Sequence, residues 1–249
     1  MIDRQAPVFV AGHRGLVGSA VVRRLEGDGF TDVRTVGRQM LDLRHQSAVD
    51  AWFDEERPRY VFLVAGTVGG IHANSTRPAE FLYDNLMIHG TVVQAAHRVG
   101  VEKVLYLGCS CIYPRLANQP IAEEALLGGP LEPTNQWYAI AKIAGLKLCE
   151  AYRKQYGCDF ISAQPINLYG PFDNFDPESS HVVPALLNKA HAAKTQGSER
   201  VVVWGSGLPR REFMYVDDVA DALIHLLKHY SGSLQLNIGT GEEVTIREL

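Results

Sequence analysis

An α/β fold built on a doubly wound parallel sheet is what the sequence predicts, and three observations predict it. Strand-like apolar runs alternate with helix-length segments through residue 170. A glycine-rich turn, Gly12-His-Arg-Gly15-Leu-Val-Gly18, follows the first run and opens the first helix. Residues 60–64 (Tyr-Val-Phe-Leu-Val) are apolar throughout, as a strand covered on both faces requires.

The elements follow in order. Residues 8–11 form a short apolar strand, and 16–28 a helix with Val17, Val21 and Leu25 on one face. A second strand is expected at 33–36. Ser47 is placed to cap a helix running through Glu56. After the 60–64 strand, Pro78 opens a long helix to about Val99, residues 103–107 form a strand, and 138–156 a second long helix. A strand at 160–163 closes the regular part. The turn-rich stretch 169–177 reads as a loop. A helix near Pro184, a strand at 201–204, a helix at 216–229 and a strand at 234–238 complete the chain. The expected division is a doubly wound domain over 1–170, with 213–230 packing back on it, and a smaller portion over 171–249.

Composition narrows the classes. The chain has 249 residues, 46% hydrophobic and 21% charged, enough to bury a sizeable core. A net charge of −4 argues against broad binding to nucleic acid or anionic membranes. No apolar run approaches the ~18 residues of a membrane span, and Met1-Ile2-Asp3-Arg4 does not begin a signal peptide. Cysteines at 109, 111, 149 and 158 show no disulfide framework, so a reducing, cytoplasmic setting is expected. A Cys-x-Cys without a second close pair is weak evidence for zinc, and no metal is expected.

The glycine turn carries the first chemistry. Its glycines let the backbone approach a pyrophosphate, and the helix N-terminus behind it supplies N–H donors and positive potential. Gly12, Arg14, Gly15, Leu16, Val17 and Gly18 are therefore candidates to bind a dinucleotide. An NAD-preferring site places Asp or Glu at the end of the second strand to bind the ribose 2′-hydroxyl. Here that segment is Val36-Gly37-Arg38. Arg14 and Arg38 suit a 2′-phosphate instead, because guanidinium forks pair with phosphate oxygens. The cofactor expected is NADP, although Arg38 also fits a solvated surface charge. Asp42 has two readings, a contact to the adenine or the cap of a turn. The second constellation is Tyr138-Ala-Ile-Ala-Lys142, which puts a phenol and an ammonium on one helix face. A nearby ammonium favours phenolate, so Tyr138 is expected to exchange a proton near neutral pH.

With these motifs in place the chain resembles the extended short-chain dehydrogenase/reductases, and among them the GDP-L-fucose synthase family. The matching stretches include the glycine turn, Val68-Gly-Gly-Ile-His-Ala-Asn74, Cys111-Ile-Tyr-Pro114, Leu131-Glu-Pro-Thr-Asn135 and Tyr138-Ala-Ile-Ala-Lys-Ile-Ala-Gly145. Asn167-Leu-Tyr-Gly-Pro171, Asp173-Asn-Phe175, Ser180-His181-Val182, Val203-Trp-Gly-Ser-Gly207 and Arg211-Glu-Phe213 follow in the same order. The resemblance spans essentially the whole chain. It implies NADPH-dependent epimerisation at C3 and C5 and reduction at C4 of GDP-4-keto-6-deoxy-D-mannose, giving GDP-L-fucose. Tyr138 would protonate the C4 oxygen while Lys142 tunes it and holds the nicotinamide ribose. Cys111 and His181 match the pair that performs the epimerisations, thiolate as base and imidazole as acid. Read alone, His181 fits a loop histidine and Cys111 a buried apolar residue. The resemblance also puts Asn167 and His181 near the cofactor, brings Asn167, Lys189, Trp204 and Arg211 to the GDP-sugar, and implies a homodimer through the two long helices.

Three departures qualify it. Lys189 stands where the family has arginine, and would meet phosphate as a point charge rather than a fork. Cys109 stands where the family has Ser or Thr to donate to the substrate carbonyl, and a thiol is a weak donor. Ser110 on a strand would point to the opposite face. Loss of such a donor costs about 2.7–4 kcal/mol of transition-state stabilisation, so reduction is expected to be slowed, with Cys109 supplying what donation there is. Finally, the family continues beyond residue 246, so NADP binding is expected to survive better than GDP-sugar binding. Two alternatives stay open: an epimerase or reductase of a related nucleotide sugar, and a catalytically weakened nucleotide-binding paralogue.

Overall fold

A computed structural model describes residues 3–249; Met1 and Ile2, the first residues of the expected cofactor domain and of the N-terminal reading, lie outside it. The strands are β1 (Val8–Ala11), β2 (Val33–Arg34), β3 (Tyr60–Leu63), β4 (Lys103–Leu107), β5 (Asp159–Pro165), β6 (Asn167–Tyr169), β7 (Arg210–Tyr215), β8 (Leu236–Ile238) and β9 (Glu243–Thr245). The helices are α1 (Leu16–Gly27), α2 (Gln46–Glu56), α3 (Ile71–Thr76), α4 (Pro78–Val99), α5 (Gln136–Tyr156), α6 (Val182–Gln196) and α7 (Val216–His229). Six strands form a parallel sheet in the order β2-β1-β3-β4-β5-β8.

Side-chain alternation explains why both faces of that sheet are covered. Phe9, Val61, Leu63, Val104 and Tyr106 point to one side, where Val49 and Phe53 of α2, Val92 and Ala96 of α4, and Leu146 of α5 meet them. Val8, Val10, Phe62, Leu105 and Ile161 point to the other, against Val21 and Leu25 of α1 and Val219, Leu223 and Leu227 of α7. The 216–229 segment thus packs beside α1, and β8 pairs with β5. A second sheet of three strands joins β6 to β7 in parallel and β7 to β9 antiparallel.

Two sequence expectations about elements are corrected. Helix α2 begins at Gln46 with His45 at its cap, so Ser47 lies inside the first turn. Residues 201–204 form no strand: the Val-Val-Val-Trp run has β propensity, but its side chains are exposed and no neighbour pairs with it. Among the described residues, no helix is long and apolar enough to cross a membrane.

Helix α5 approaches β4 and α4 closely at Gly145. A Cβ there would sit 2.5 Å from the Tyr106 hydroxyl oxygen and 2.9 Å from His89 Nδ1, both buried. Gly145→Ala is expected to lose about 1–3 kcal/mol through overpacking, read as a lower denaturation midpoint with an unchanged denaturant m-value.

Candidate active site

A cleft of about 1810 Å³ opens where the loops after β1, β3 and β4 meet the second sheet and α6. All the residues singled out in the sequence line it, from the glycine turn to Arg211 on β7.

The turn after β1 is built for close approach by a ligand. Gly12 has φ +96°, and a Cβ on it would lie 2.8 Å from the Ala65 backbone; a Cβ on Gly18 would collide with the Gly12 carbonyl. Gly15 starts α1 in an extended conformation, no side chain caps that helix, and its first turn carries no acid. Its free N–H groups therefore face the cleft. The Arg14 guanidinium lies 3.3 Å from where a Gly37 Cβ would be, and Arg38, the next residue, lines the same cleft. This cradle fits NADP, with Gly12, Gly15 and the α1 N-terminus for the pyrophosphate and Arg14 and Arg38 for the 2′-phosphate. Asp42 lines the cleft and also takes part in a turn. It accepts from the Arg44 backbone N–H at 3.0 Å and from the Arg44 guanidinium at 2.6 Å, which hold its carboxyl down at about 2. Arg44 also reaches Asp84 at 2.8 Å.

Tyr138 and Lys142 sit one turn apart on α5, with the Lys142 Nζ 5.7 Å from the centre of the Tyr138 ring. Lys142 is buried and donates to the Leu107 carbonyl at 2.8 Å. Here desolvation overrides the simple expectation from spacing. It pushes the Lys142 ammonium down to about 7 and the Tyr138 phenol well above its ordinary range. Tyr138 is thus held protonated at neutral pH, the state an acid needs.

The cysteine reading is corrected at residues 109–112. β4 ends at Leu107 and the chain enters a 3-10 turn, Ser110–Ile112. Period-two alternation therefore stops, and Cys109, Ser110 and Cys111 all line the cleft rather than Ser110 pointing away. The turn brings the Cα atoms of Cys109 and Cys111 to 5.4 Å, and their sulfurs are joined as a disulfide. Cys149 and Cys158 are free. Among the described residues, no group of three or more His, Cys, Asp or Glu is arranged to hold a metal ion.

His181 caps α6 and opens into the cleft. Surrounding protein lowers its pKa by desolvation, and Asp173 opposes this. Asp173 is itself raised by burial and has one carboxylate oxygen, Oδ2, without a partner. The segment before His181 is docked by backbone: the Gly70 N–H donates to the Ser179 carbonyl at 2.8 Å, and a Cβ on Gly70 would lie 2.5 Å from the Ser180 oxygen. On the far wall, Lys189 Nζ stands 4.0 Å from the centre of the Trp204 ring and donates to the Val202 carbonyl at 3.1 Å. Asn167 donates to the Glu212 carbonyl at 3.0 Å, and the Arg211 guanidinium to the Arg210 carbonyl at 2.7 Å.

Three buried amides escaped the sequence reading. Asn85 donates to the Thr67 and Phe81 carbonyls and accepts the Thr67 N–H, fixing the loop beside Lys142. Asn74 donates to the Gly69 carbonyl at 2.7 Å. Gln164 Oε1 accepts the Cys109 N–H at 2.9 Å. Polar residues inside otherwise apolar helix and strand patterns were the available signal.

Burial of Lys142 has a consequence for stability. Its pKa is depressed in the folded chain, so from about pH 7 to the ordinary lysine range the unfolded chain binds more protons, and stability rises with pH across that window. The cost below it is on the order of a few kcal/mol. Lys142→Met is expected to melt above the parent at pH 6, and that advantage should shrink by several degrees by pH 10 in parallel thermal scans.

Comparison with known proteins agrees with this geometry. Residues 8–239 match the NAD dependent epimerase/dehydratase family. GDP-L-fucose synthase 1 of Arabidopsis thaliana is 59% identical over 100% of this chain and 77% of its own length. The GDP-L-fucose synthase of Escherichia coli strain K12 is 53% identical over 97% of this chain and 78% of its own. The crystal structure of a GDP-L-fucose synthetase from Naegleria fowleri bound to NADP superposes with a TM-score of 0.89 at 31% identity, covering 96% of this chain and 78% of that one. With its glycine turn and Tyr-Lys pair lining one cleft and these relatives matched over essentially its whole length, the chain belongs to the NAD dependent epimerase/dehydratase family, and within it to the NADP-dependent enzymes of the GDP-L-fucose synthase group.

Proposed function

We propose that the chain converts GDP-4-keto-6-deoxy-D-mannose to GDP-L-fucose, epimerising C3 and C5 and reducing C4. The observation that carries this reading is the shared cleft: Tyr138, Lys142, Cys111 and His181 line the same space as the dinucleotide cradle. Bound NADPH supplies the hydride for C4.

The chain's own groups account for the proton movements. The C4 ketone acidifies the protons at C3 and C5, so a thiolate at Cys111, in the reduced enzyme, removes each in turn. His181, whose protonated form the Asp173 carboxylate favours, returns a proton to the opposite face. Tyr138 delivers its proton to the C4 oxygen as the alkoxide develops, a step suited to a phenol held protonated. Lys142 steadies that phenol from the next turn and is in place to hold the nicotinamide ribose. Ser110, facing the cleft beside Cys109, is a second hydroxyl available to the carbonyl. Lys189, Trp204 and Arg211 lie on the wall we assign to the GDP moiety, within the substrate-binding portion we place over 171–249.

The homodimer belongs to this reading. Tyr83 and Leu86 on α4 and Trp137 and Ile140 on α5 are exposed at helical spacing, and these two helices pack side by side. Two such faces meeting make a four-helix contact. We also keep the cytoplasmic setting, in which the free Cys149 and Cys158 stay reduced.

Product-resolved turnover of GDP-4-keto-6-deoxy-mannose with NADPH tests the assignment; a different sugar product, or cofactor binding without turnover, overturns it. Tyr138→Phe should lower reduction roughly 100-fold or more while solvent-deuterium exchange at C3 and C5 persists. Cys111→Ser, assayed under reducing conditions, should do the reverse. Leu86→Glu combined with Ile140→Glu should shift sedimentation from dimer to monomer.

A further inference from the structure

We propose that Cys109 and Cys111 form a reversible redox site, in which Cys109 is the resolving thiol that removes Cys111 from catalysis by bridging it. This deepens the proposed function and rests on Cys111 being the base of the epimerisations.

Four observations converge. The two sulfurs are bonded, and the 3-10 turn holds their Cα atoms 5.4 Å apart, inside the range a disulfide spans. Both residues line the open cleft, so a small disulfide can reach them, whereas Cys149 is buried away from it. Gln164, itself 1% exposed, accepts the Cys109 N–H and fixes the start of the turn, so neither cysteine has to travel to meet the other. A thiol at 109 is a poor donor to a substrate carbonyl, so its value to this site lies elsewhere; two residues from Cys111, it is where a resolving cysteine has to be.

The chemistry balances with a low-molecular-weight disulfide, such as oxidised glutathione, as oxidant. The Cys111 thiolate attacks one sulfur of the oxidant, forming a mixed disulfide and expelling one glutathione thiolate. The Cys109 thiolate then attacks the Cys111 sulfur, forming the Cys109–Cys111 bond and expelling the second. Two electrons pass from the protein dithiol to the oxidant, and the two protons leave with the released thiols. Cys111 then has no thiolate with which to take a proton from C3 or C5. The phosphate cradle is separate from the turn, so cofactor binding continues.

The test treats the reduced 249-residue chain with oxidised glutathione and follows intact mass, free thiols and solvent-deuterium exchange into GDP-4-keto-6-deoxy-mannose in the presence of NADP. The parent is expected to lose two hydrogens of mass with no glutathione retained, and to fall from four free thiols to the two of Cys149 and Cys158. Exchange should drop roughly 100-fold or more and return with dithiothreitol, while NADPH binding by fluorescence is unchanged. Cys109→Ser, lacking the resolving thiol, should instead keep glutathione on Cys111. A parent that retains glutathione as this variant does, while reduced Cys111→Ser fails to exchange, overturns the switch and leaves the base assignment standing. A parent that forms the bridge and exchanges at the reduced rate overturns the base assignment and the switch with it.

Discussion

The side chain of Lys142 runs from α5 to the Leu107 carbonyl at the end of β4, and the arrangement of the cleft depends on that hydrogen bond. It binds a backbone oxygen at the last residue of the strand, and it ties α5 to the sheet one turn from Tyr138. Tyr106 reinforces it from inside the sheet, donating to the Lys142 carbonyl at 3.1 Å with His89 stacked edge-on at 4.9 Å between ring centres. Asn85 fixes the adjacent loop from the other side. A buried amine in a low-dielectric setting is costly, and the structure accepts that cost at a position where the amine stands beside the Tyr138 ring and lines the cleft.

The second sheet completes the cleft without a core of comparable depth. Backbone contacts outside that sheet, chiefly Gly70 against Ser179 and Ser180, seat His181 at the start of α6. Groups drawn from α5, the turn after β4 and the start of α6 are thus held on three separately anchored supports.

Much of this was legible in the sequence where local chemistry decides the outcome. Pro78 starts α4, and Gly100 and Gly157, at φ +77° and +72°, end α4 and α5, because few other residues suit those positions. The continuous apolar runs of β1 and β3 and the helical stripe of α1 pointed to the sheet and its cover, and the glycine turn to a close-approach turn at the cleft. What stayed hidden depends on distant atoms. The 201–204 run looks like a strand until one asks what it pairs with. The Tyr138–Lys142 spacing shows that the two meet, but not that desolvation governs both. Cys109 and Cys111 read as alternating strand residues until the chain turns out of the sheet after Leu107.

The path of the backbone between the two sheets bears on how the cleft can move. The chain crosses from one to the other three times: between β5 and β6 with only Ile166 intervening, from β7 directly into α7, and from β8 to β9 through residues 239–242. Three short covalent crossings side by side act as a strap hinge rather than a tether. A change in the width of the cleft therefore has to bend all three of these crossings together.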